Sequence, residues 1–188
     1  LPPLLRGLCA IAPVYYVTGN HEWRVPGLRG ILAQMRACGV TVLQDDWRVL
    51  RRGEDALIVA GTDDPCGPAE RKTPAELIAN IRAEAGEAAF LLLLTHRNDQ
   101  LPQWSALGVQ AVLAGHCHGG VVRLPFVGGL FGTDRRLFPA WDAGLYRQGE
   151  TVLYVSRGLG YTNVHFRLFN RPEVAVIVLR RGDPAINS

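Results

Sequence analysis

Two stretches of the sequence decide the fold: residues 90–96 (FLLLLTH) and residues 111–120 (AVLAGHCHGG). Each begins with a short apolar run of the kind that forms a buried strand, and each run leads into a histidine. Loops at the carboxyl ends of strands are where open α/β sheets gather their ligands. The two stretches therefore predict strand ends that deliver imidazoles to a common site.

The same arrangement occurs earlier in the chain. Val14 to Val17 is a short β-branched and aromatic run, and it leads into Thr18-Gly19-Asn20-His21-Glu22. Four of the five histidines thus stand just after a predicted strand: His21, His96, His116 and His118. The fifth, His165, lies outside every motif and is interpreted as structural. Four histidines in this position indicate a functional site rather than packing.

Strands and helices alternate in the first half of the chain, and the tail is rich in strands. Apolar residues spaced i, i+3, i+4 and i+7 from Leu28 predict an amphipathic helix that stops near Gly39. Thr73-Pro74-Ala75-Glu76 has the form of a capping box, which predicts a helix from Pro74 to about Ala85. The remaining predictions are a hairpin of Thr41 to Leu43 with Trp47 to Leu50, and strands at Asp55 to Gly61, Thr151 to Ser156 and Val174 to Leu179. This order predicts an α/β layered sandwich with mixed sheets.

The composition is that of an ordinary globular protein. Of 188 residues, 48% are hydrophobic and 20% are charged, which excludes a disordered chain and favours one domain. The net charge is only +3 and the basic residues are scattered, so no nucleic-acid partner is expected. The longest apolar run, Phe90 to Leu94, is too short to cross a bilayer. The four cysteines make no C-x-x-C pair, so no zinc ribbon or disulfide framework is predicted.

Residues 115–120 (GHCHGG) form the sharpest local motif. In an extended segment, residues two apart point to the same side, so His116 and His118 are expected to face one pocket while Cys117 is buried. Imidazole suits zinc, iron and manganese, and the amide oxygen of Asn20 can coordinate a hard cation. An H-x-H pair also occurs in metallo-β-lactamase-like hydrolases. That pattern expects Asp two residues after the second His, where Gly120 stands.

Gly-Asn-His-Glu at residues 19–22, a strand-end His96 and then residues 115–120 resemble, in residues and in order, the later motifs of the calcineurin-like metallophosphoesterases. Further stretches are similar to a bacterial branch of small, often membrane-associated phosphohydrolases: residues 122–126 (VRLPF), 141–146 (WDAGLY) and 154–160 (YVSRGLG). The similarity runs from about Val14 to Leu179. It implies a layered α-β-β-α metallophosphoesterase sandwich with mixed sheets.

Carried over to this sequence, the resemblance makes Asn20, His96 and His116 ligands of one metal ion and His118 a ligand of another. His21 takes the position of the residue beside the scissile phosphate, which stabilises charge or protonates the leaving oxygen. The family implies two divalent ions (Mn, Fe or Zn), whose bound hydroxide attacks phosphorus in line. No residue is predicted to bind the rest of the substrate.

The sequence departs from the family pattern. The family's Asp-x-His and Gly-Asp-x-x-Asp motifs would precede Gly19, yet residues 1–18 contain neither Asp nor His. We therefore expect residues 1–188 to be a single, incomplete and N-terminally truncated metallophosphoesterase domain that binds one metal ion, or none, tightly. Arg97-Asn98 replaces the more usual Asn-Pro after the strand-end histidine, an exchange expected to reshape the pocket rim. Asp63-Asp64 is interpreted as a turn at the exit of a strand.

The sequence thus predicts a metal-dependent phosphoesterase, hydrolysing phosphomonoesters or phosphodiesters, that is impaired in this chain. The alternative is a non-catalytic, degenerate metallophosphoesterase-like binding domain with at most one metal ion. The resemblance implies a small phosphorylated substrate of the nucleotide-sugar or lipid-linked kind. It also implies a cytoplasmic or membrane-associated bacterial protein, with membrane contact made through residues that would precede Leu1.

Overall fold

The computed structural model describes residues 1–53, 55–68, 71–132, 136–161 and 166–180, so His165 lies outside the described residues. The helices in these ranges are α1 (Pro2–Ile11), α2 (Leu28–Ala37), α3 (Pro74–Ala85) and α4 (Leu101–Ala106). The strands are β1 (Tyr15–Tyr16), β2 (Thr41–Val42), β3 (Asp46–Arg52), β4 (Asp55–Gly61), β5 (Phe90–Leu94), β6 (Ala111–Ala114), β7 (Arg123–Leu124), β8 (Gly128–Gly129), β9 (Gly144–Gln148) and β10 (Thr151–Val155). None of these helices is long and apolar enough to cross a membrane.

Six strands form one mixed sheet in the order β3-β4-β5-β6-β10-β9. Strands β4, β5, β6 and β10 run parallel in the middle, while β3 and β9 pair antiparallel at the two edges. Parallel strands end at the same edge of a sheet, so the loops after β4, β5 and β6 leave it side by side. This edge carries the candidate site. The predicted α/β class with a mixed sheet is confirmed.

A hydrophobic cluster joins the six-stranded sheet to α3 and α4. Leu91 and Leu93 of β5 have no exposed surface, and they share the cluster with Leu77 and Ile81 of α3 and Trp104 of α4. Full burial of one such aliphatic side chain contributes about 1.5–3 kcal/mol. The strands that lead to the predicted histidines therefore belong to the best-buried part of the described molecule.

A second, smaller unit precedes this sheet. Strands β1 and β2 pair in parallel, with Tyr15 opposite Thr41 and Tyr16 opposite Val42. Leu32 of α2 packs with Val42 in a separate hydrophobic cluster. This unit carries the loop that contains Asn20 and His21.

Helix α3 begins as the sequence predicts. The Thr73 hydroxyl accepts a hydrogen bond from the Glu76 backbone N–H at 3.2 Å, and a carboxylate oxygen of Glu76 accepts one from the Thr73 N–H at 2.7 Å. The capping box is therefore complete, with Pro74 at the first helical position. The prediction of a helix from Pro74 to about Ala85 is confirmed.

The predicted hairpin of Thr41 to Leu43 with Trp47 to Leu50 is wrong. Strand β2 pairs with β1, whereas β3 forms a hairpin with β4 in the large sheet. Between β2 and β3, Asp45 has a left-handed backbone with φ of 49°. Its carboxylate accepts a hydrogen bond from the Asp63 N–H at 3.1 Å, which fixes the point where the chain leaves the small sheet for the large one.

The predicted strand at Val174 to Leu179 is also wrong. In the described residues 166–180 this stretch is assigned to no strand, and Val174, Val176 and Val178 are 76%, 89% and 67% exposed. Its β-branched residues favour an extended chain, but a strand also needs a neighbour to pair with. The other predicted strands of the large sheet agree with β4, β5, β6 and β10 to within a residue at their ends.

Candidate metal centre

The amide of Asn20 and the imidazoles of His96 and His116 form one contact set. Asn20 Oδ1 lies 2.9 Å from His96 Nε2, and His116 Nδ1 lies 2.9 Å from the same nitrogen. The two rings meet edge to face with their centroids 4.7 Å apart. Three of the four residues predicted as metal ligands thus bring their donor atoms together.

The parallel strands explain why the two histidines meet. His96 stands two residues beyond the end of β5, and His116 two residues beyond the end of β6. Leu94 pairs with Leu113 at the ends of these neighbouring strands, and the Gly115 N–H donates to the His96 carbonyl at 3.3 Å. Equal offsets from adjacent parallel strands place the two side chains at one edge of the sheet.

The loop of Asn20 is tied to the large sheet through buried side chains. The Thr18 hydroxyl donates to Asp63 Oδ1 at 2.7 Å, and Trp23 Nε1 donates to the same hydroxyl oxygen at 2.9 Å. Asp63 follows β4, and burial raises the pKa of its carboxyl. Asn20 itself is only 8% exposed. The small β1–β2 unit therefore delivers its amide to a defined position beside the histidines.

Glycine is required where His96 lies against this loop. A Cβ on Gly19 would lie 2.8 Å from both Cε1 and Nδ1 of His96 and 2.9 Å from Glu22 Oε2. Real Cβ atoms do not approach other atoms this closely, so the missing side chain makes room for the ring. Glu22 closes the turn by accepting a hydrogen bond from the Gly19 N–H at 2.8 Å.

The extended backbone expected for residues 115–120 is wrong. His116 and His118 have left-handed backbones, with φ of 68° and 51°. Non-glycine residues seldom adopt this conformation, and each costs on the order of 1–3 kcal/mol when the surrounding structure enforces it. Hydrogen bonds from Cys117 N–H to Gly115 O and from Gly120 N–H to Cys117 O curl the segment into tight turns. Cys117 is buried, as predicted.

In this curled segment, His118 contacts a different group from His116. Its Nδ1 faces the carbonyl oxygen of Gly160 at 3.3 Å. His21, at the start of the Glu22–Arg24 turn, is exposed. The hydrogen-bond distances therefore join Asn20, His96 and His116 in one contact set, whereas His118 contacts the Gly160 carbonyl.

Asn170 holds the loop of His118, a role that the sequence analysis missed. Its Nδ2 donates to the carbonyl oxygens of His118 at 2.7 Å and of Val121 at 3.3 Å. The residue is only 2% exposed, and a Cβ on Gly119 would come within 2.6 Å of its side-chain oxygen. Asn170 lies about fifty residues further along the chain and in no recognised motif, so local sequence carries no signal for this contact.

All three histidines of the site favour the neutral state. Burial lowers the pKa of His96, and it lowers the pKa of His116 to about 4, with the charges of His96 and Arg97 acting in the same direction. Burial also lowers the pKa of His118. A neutral imidazole keeps a lone pair on one ring nitrogen, which is the state that binds metal ions.

The donor atoms fit a divalent cation. Ligands about 2.1 Å from one ion and at right angles to each other lie about 3.0 Å apart, close to the 2.9 Å separations at His96 Nε2. Two imidazoles and an amide oxygen suit zinc, iron or manganese. Among the described residues, no group of three or more His, Cys, Asp or Glu side chains could hold an ion. The set therefore depends on the amide of Asn20 and contains no carboxylate.

An ion pair borders this set, and the interpretation of Asp63-Asp64 as a simple turn missed it. Arg97 donates from Nε to Asp64 Oδ2 at 2.7 Å and from Nη2 to Asp64 Oδ1 at 3.1 Å. Its Nη1 lies 3.3 Å from His116 Nε2. The sequence did hold a signal: Asp64 follows β4 and Arg97 follows β5, and these parallel neighbours end at the same edge.

Comparison with known proteins extends over most of the chain. No family model matches. The chain is 30% identical over 181 residues to the uncharacterised metallophosphoesterase YkuE of Bacillus subtilis, covering 95% of this chain and 60% of that protein. It is 30% identical over 180 residues to the phosphodiesterase YaeI of Escherichia coli, covering 94% and 62% of the two chains. An uncharacterised metallophosphoesterase of Aquifex aeolicus is 31% identical over 170 residues, covering 88% and 60%.

A solved structure shares the fold. Sulfate thiohydrolase SoxB of Thermus thermophilus, determined in complex with glycerol, superposes with a TM-score of 0.54 at 16% identity, covering 80% of this chain and 29% of that one. The chain spans about 60% of the length of the curated relatives it matches. The motif order, the mixed sheet with histidines at its strand ends and the names of these relatives agree in what they support: the chain resembles the calcineurin-like metallophosphoesterases.

Proposed function

We propose that the protein hydrolyses phosphomonoesters or phosphodiesters of small molecules in a metal-dependent reaction. The observation that carries this proposal is the convergence of Asn20 Oδ1, His96 Nε2 and His116 Nδ1, with separations of 2.9 Å at the central nitrogen. The names of its relatives, metallophosphoesterases and a phosphodiesterase, support the reaction class. The proposed substrate class, small molecules that carry a phosphoester, follows from that reaction class.

The proposed roles follow the two groups of side chains. Asn20, His96 and His116 would hold one divalent ion, and His118 would contribute to holding a second. Divalent ions in such positions supply Lewis acidity to the phosphoryl oxygens and activate water for attack on phosphorus. His21 would donate a proton to the leaving oxygen or stabilise its charge; it is exposed and directly follows Asn20, which is compatible with that role.

The protein's own contribution is to keep these donors uncharged and in place. The pKa of about 4 at His116 keeps that imidazole neutral at neutral pH, so no proton has to leave before a cation binds. The left-handed backbones of His116 and His118 and the close contact of Gly19 with His96 fix the ring positions in advance. Preorganised donors lose less entropy when they bind a ligand.

We further propose that the 188 residues, taken alone, form one domain that binds one ion, or none, tightly and hydrolyses phosphoesters slowly. Three neutral donors leave the two charges of a dication unbalanced, and burying uncompensated charge is costly. Among the described residues, no group of three or more His, Cys, Asp or Glu side chains could hold an ion, which supports this view. The same observation favours the second candidate function, a non-catalytic binding domain that holds at most one ion.

Metal content measured together with turnover tests the proposal. The purified chain is analysed for bound elements and assayed with bis-p-nitrophenyl phosphate and added Mn²⁺. We expect measurable hydrolysis that requires Mn²⁺ and that His116→Ala abolishes, because this change removes one of the three converging donors. Asn80→Ala, at an exposed position on α3, is the control and should leave the rate unchanged.

Three outcomes would contradict parts of the proposal. Turnover that persists in His116→Ala would show that the converging donors do not carry the reaction. Two tightly bound ions per chain would contradict the proposed weakness of the isolated 188 residues. One bound ion without any hydrolysis would favour the non-catalytic binding domain.

A further inference from the structure

We propose that Arg97 binds a phosphoryl oxygen of the substrate beside His116 and supplies the positive charge that the neutral donors of the pocket lack. This inference rests on the proposed function, because it assigns a phosphate-recognition residue to the same site. The position carries Arg where the family more usually has Asn, so the resemblance itself assigns it no such role.

The guanidinium group lies at the pocket. Arg97 directly follows His96, and its Nη1 lies 3.3 Å from His116 Nε2, on the ring of a proposed metal ligand. About a quarter (23%) of its side chain is exposed, so the group borders solvent rather than being enclosed. An oxyanion that reaches His116 therefore also reaches the Nη1 edge of Arg97.

A buried carboxylate fixes the orientation of this group. The Asp64 side chain has no exposed surface, and it accepts hydrogen bonds from both Nε and Nη2 of Arg97. The Cys66 backbone N–H donates to Asp64 Oδ1 at 2.9 Å and holds the carboxylate from the other side. A two-point contact fixes the plane of a guanidinium. Because Nε and Nη2 face Asp64, the Nη1 edge is left facing the histidines.

The charges around the pocket favour an anion at this edge. Asn20, His96 and His116 are neutral donors, and Arg97 brings a positive charge into contact with His116. A guanidinium stays protonated in proteins, so this charge is permanent. Arginine presents several N–H groups in a rigid plane that matches the oxygens of a phosphate. A purely structural role, with Arg97 tied to Asp64 and hydrogen-bonded to His116, is the reading that the binding experiment below separates from phosphate recognition.

The test measures binding of inorganic phosphate to the EDTA-treated chain by isothermal titration calorimetry. Asp64→Asn with Arg97→Gln removes both charges together, so no buried carboxylate is left unpaired and the net charge is unchanged. The matched control is Asp46→Asn with Arg48→Gln, which neutralises the exposed pair whose Nη1 and Oδ2 lie 2.7 Å apart on β3. We expect the phosphate Kd to rise at least about tenfold in the first double variant and less than about twofold in the control.

Arg97→Lys provides a second variant that keeps a cation opposite Asp64 if the neutral pair impairs folding, which thermal unfolding would reveal. It loses the planar fork, so we expect its phosphate Kd to rise about threefold or more. The proposal is overturned if these variants bind phosphate as the wild-type chain does, or if the control pair loses as much affinity. Because the titration contains no metal ion, its result is independent of turnover. An Arg97-dependent phosphate site in a chain without Mn²⁺-dependent hydrolysis would reject the proposed reaction and keep the assignment of Arg97.

Discussion

His116 and His118 are two residues apart, yet they contact different groups. His116 contacts His96 at 2.9 Å and lies beside Arg97, whereas His118 faces the carbonyl oxygen of Gly160 at 3.3 Å. The position of His116 follows from β6, which is paired on both sides in the large sheet. His118 depends on the loop that Asn170 holds.

The difference shows that spacing in an H-x-H motif does not by itself give the two histidines the same contacts. Left-handed backbones at both histidines turn the side chains to different surroundings. One histidine belongs to a contact set that already exists without a ligand, and the other needs further donors to form a site. Experiments that separate the two residues therefore test how the metal centre is divided.

The largest expected effect concerns affinity for the first metal ion. His116→Ala should weaken Mn²⁺ binding by about 100-fold or more, while His118→Ala should change it by less than about threefold, because only His116 shares the contact set with His96. Titration calorimetry of the EDTA-treated chain measures both affinities. Equal losses in the two variants would mean that the histidines act on a single ion and that the division into two groups is wrong.

An intermediate effect is expected at the support of His96. Gly19→Ala places a methyl group 2.8 Å from Cε1 and Nδ1 of the His96 ring, which must then shift. We expect Mn²⁺ affinity to fall about tenfold, the loss typical of disturbing a residue that orients a metal ligand. Gly30→Ala on α2 is the matched control, since its new methyl group meets nothing within 4 Å. If both variants bind Mn²⁺ equally well, Gly19 does not position His96.

The smallest effect is a pH dependence of stability in the metal-free chain. The unfolded state binds a proton at His116 near pH 6.5, whereas the folded state binds it only near pH 4. Between these values the unfolded state holds more protons, so the free energy of unfolding should decrease as the pH falls from about 6.5 to about 4. Urea denaturation at several pH values measures this slope.

His116→Gln should reduce this slope more than His118→Gln does, because the pKa of His116 is lowered further. The remaining slope would come from groups such as His96, whose pKa is also lowered by burial. A slope that is unchanged in His116→Gln would show that this imidazole is not held in the neutral state by folding.

The sequence predicted the parts of the fold that are encoded locally. The apolar runs of β4, β5, β6 and β10 and the capping box of α3 are short patterns, and the structure has these elements where they were expected. Helix α1, helix α4 and strand β9 were missed: no side-chain cap marks the start of either helix, and β9 contains no β-branched residue. The predicted pairing of β2 with β3 was wrong because a local sequence pattern does not identify the neighbour of a strand.

The candidate site divides in the same way. Asn20, His96 and His116 could be found because motif order and strand ends mark them, and the structure brings their donor atoms together. The pairing of Asp64 with Arg97 was missed although both residues follow neighbouring parallel strands. Asn170 could not be found, because it acts on a segment about fifty residues away and follows no strand end. The extended form expected for residues 115–120 failed because backbone dihedral angles at single residues are set by the turns they enter.

The central position of β5 and β6 has a consequence for hydrogen–deuterium exchange. Both strands are flanked on each side by paired strands, so their amide hydrogens should exchange only through the rarest openings of the molecule. His96 and His116 follow two residues later, at the border between slowly and rapidly exchanging backbone. A bound cation would move this border outward into the loops after β5 and β6. Mass spectrometry of deuterated peptides could then follow occupancy of the site without any assay of turnover.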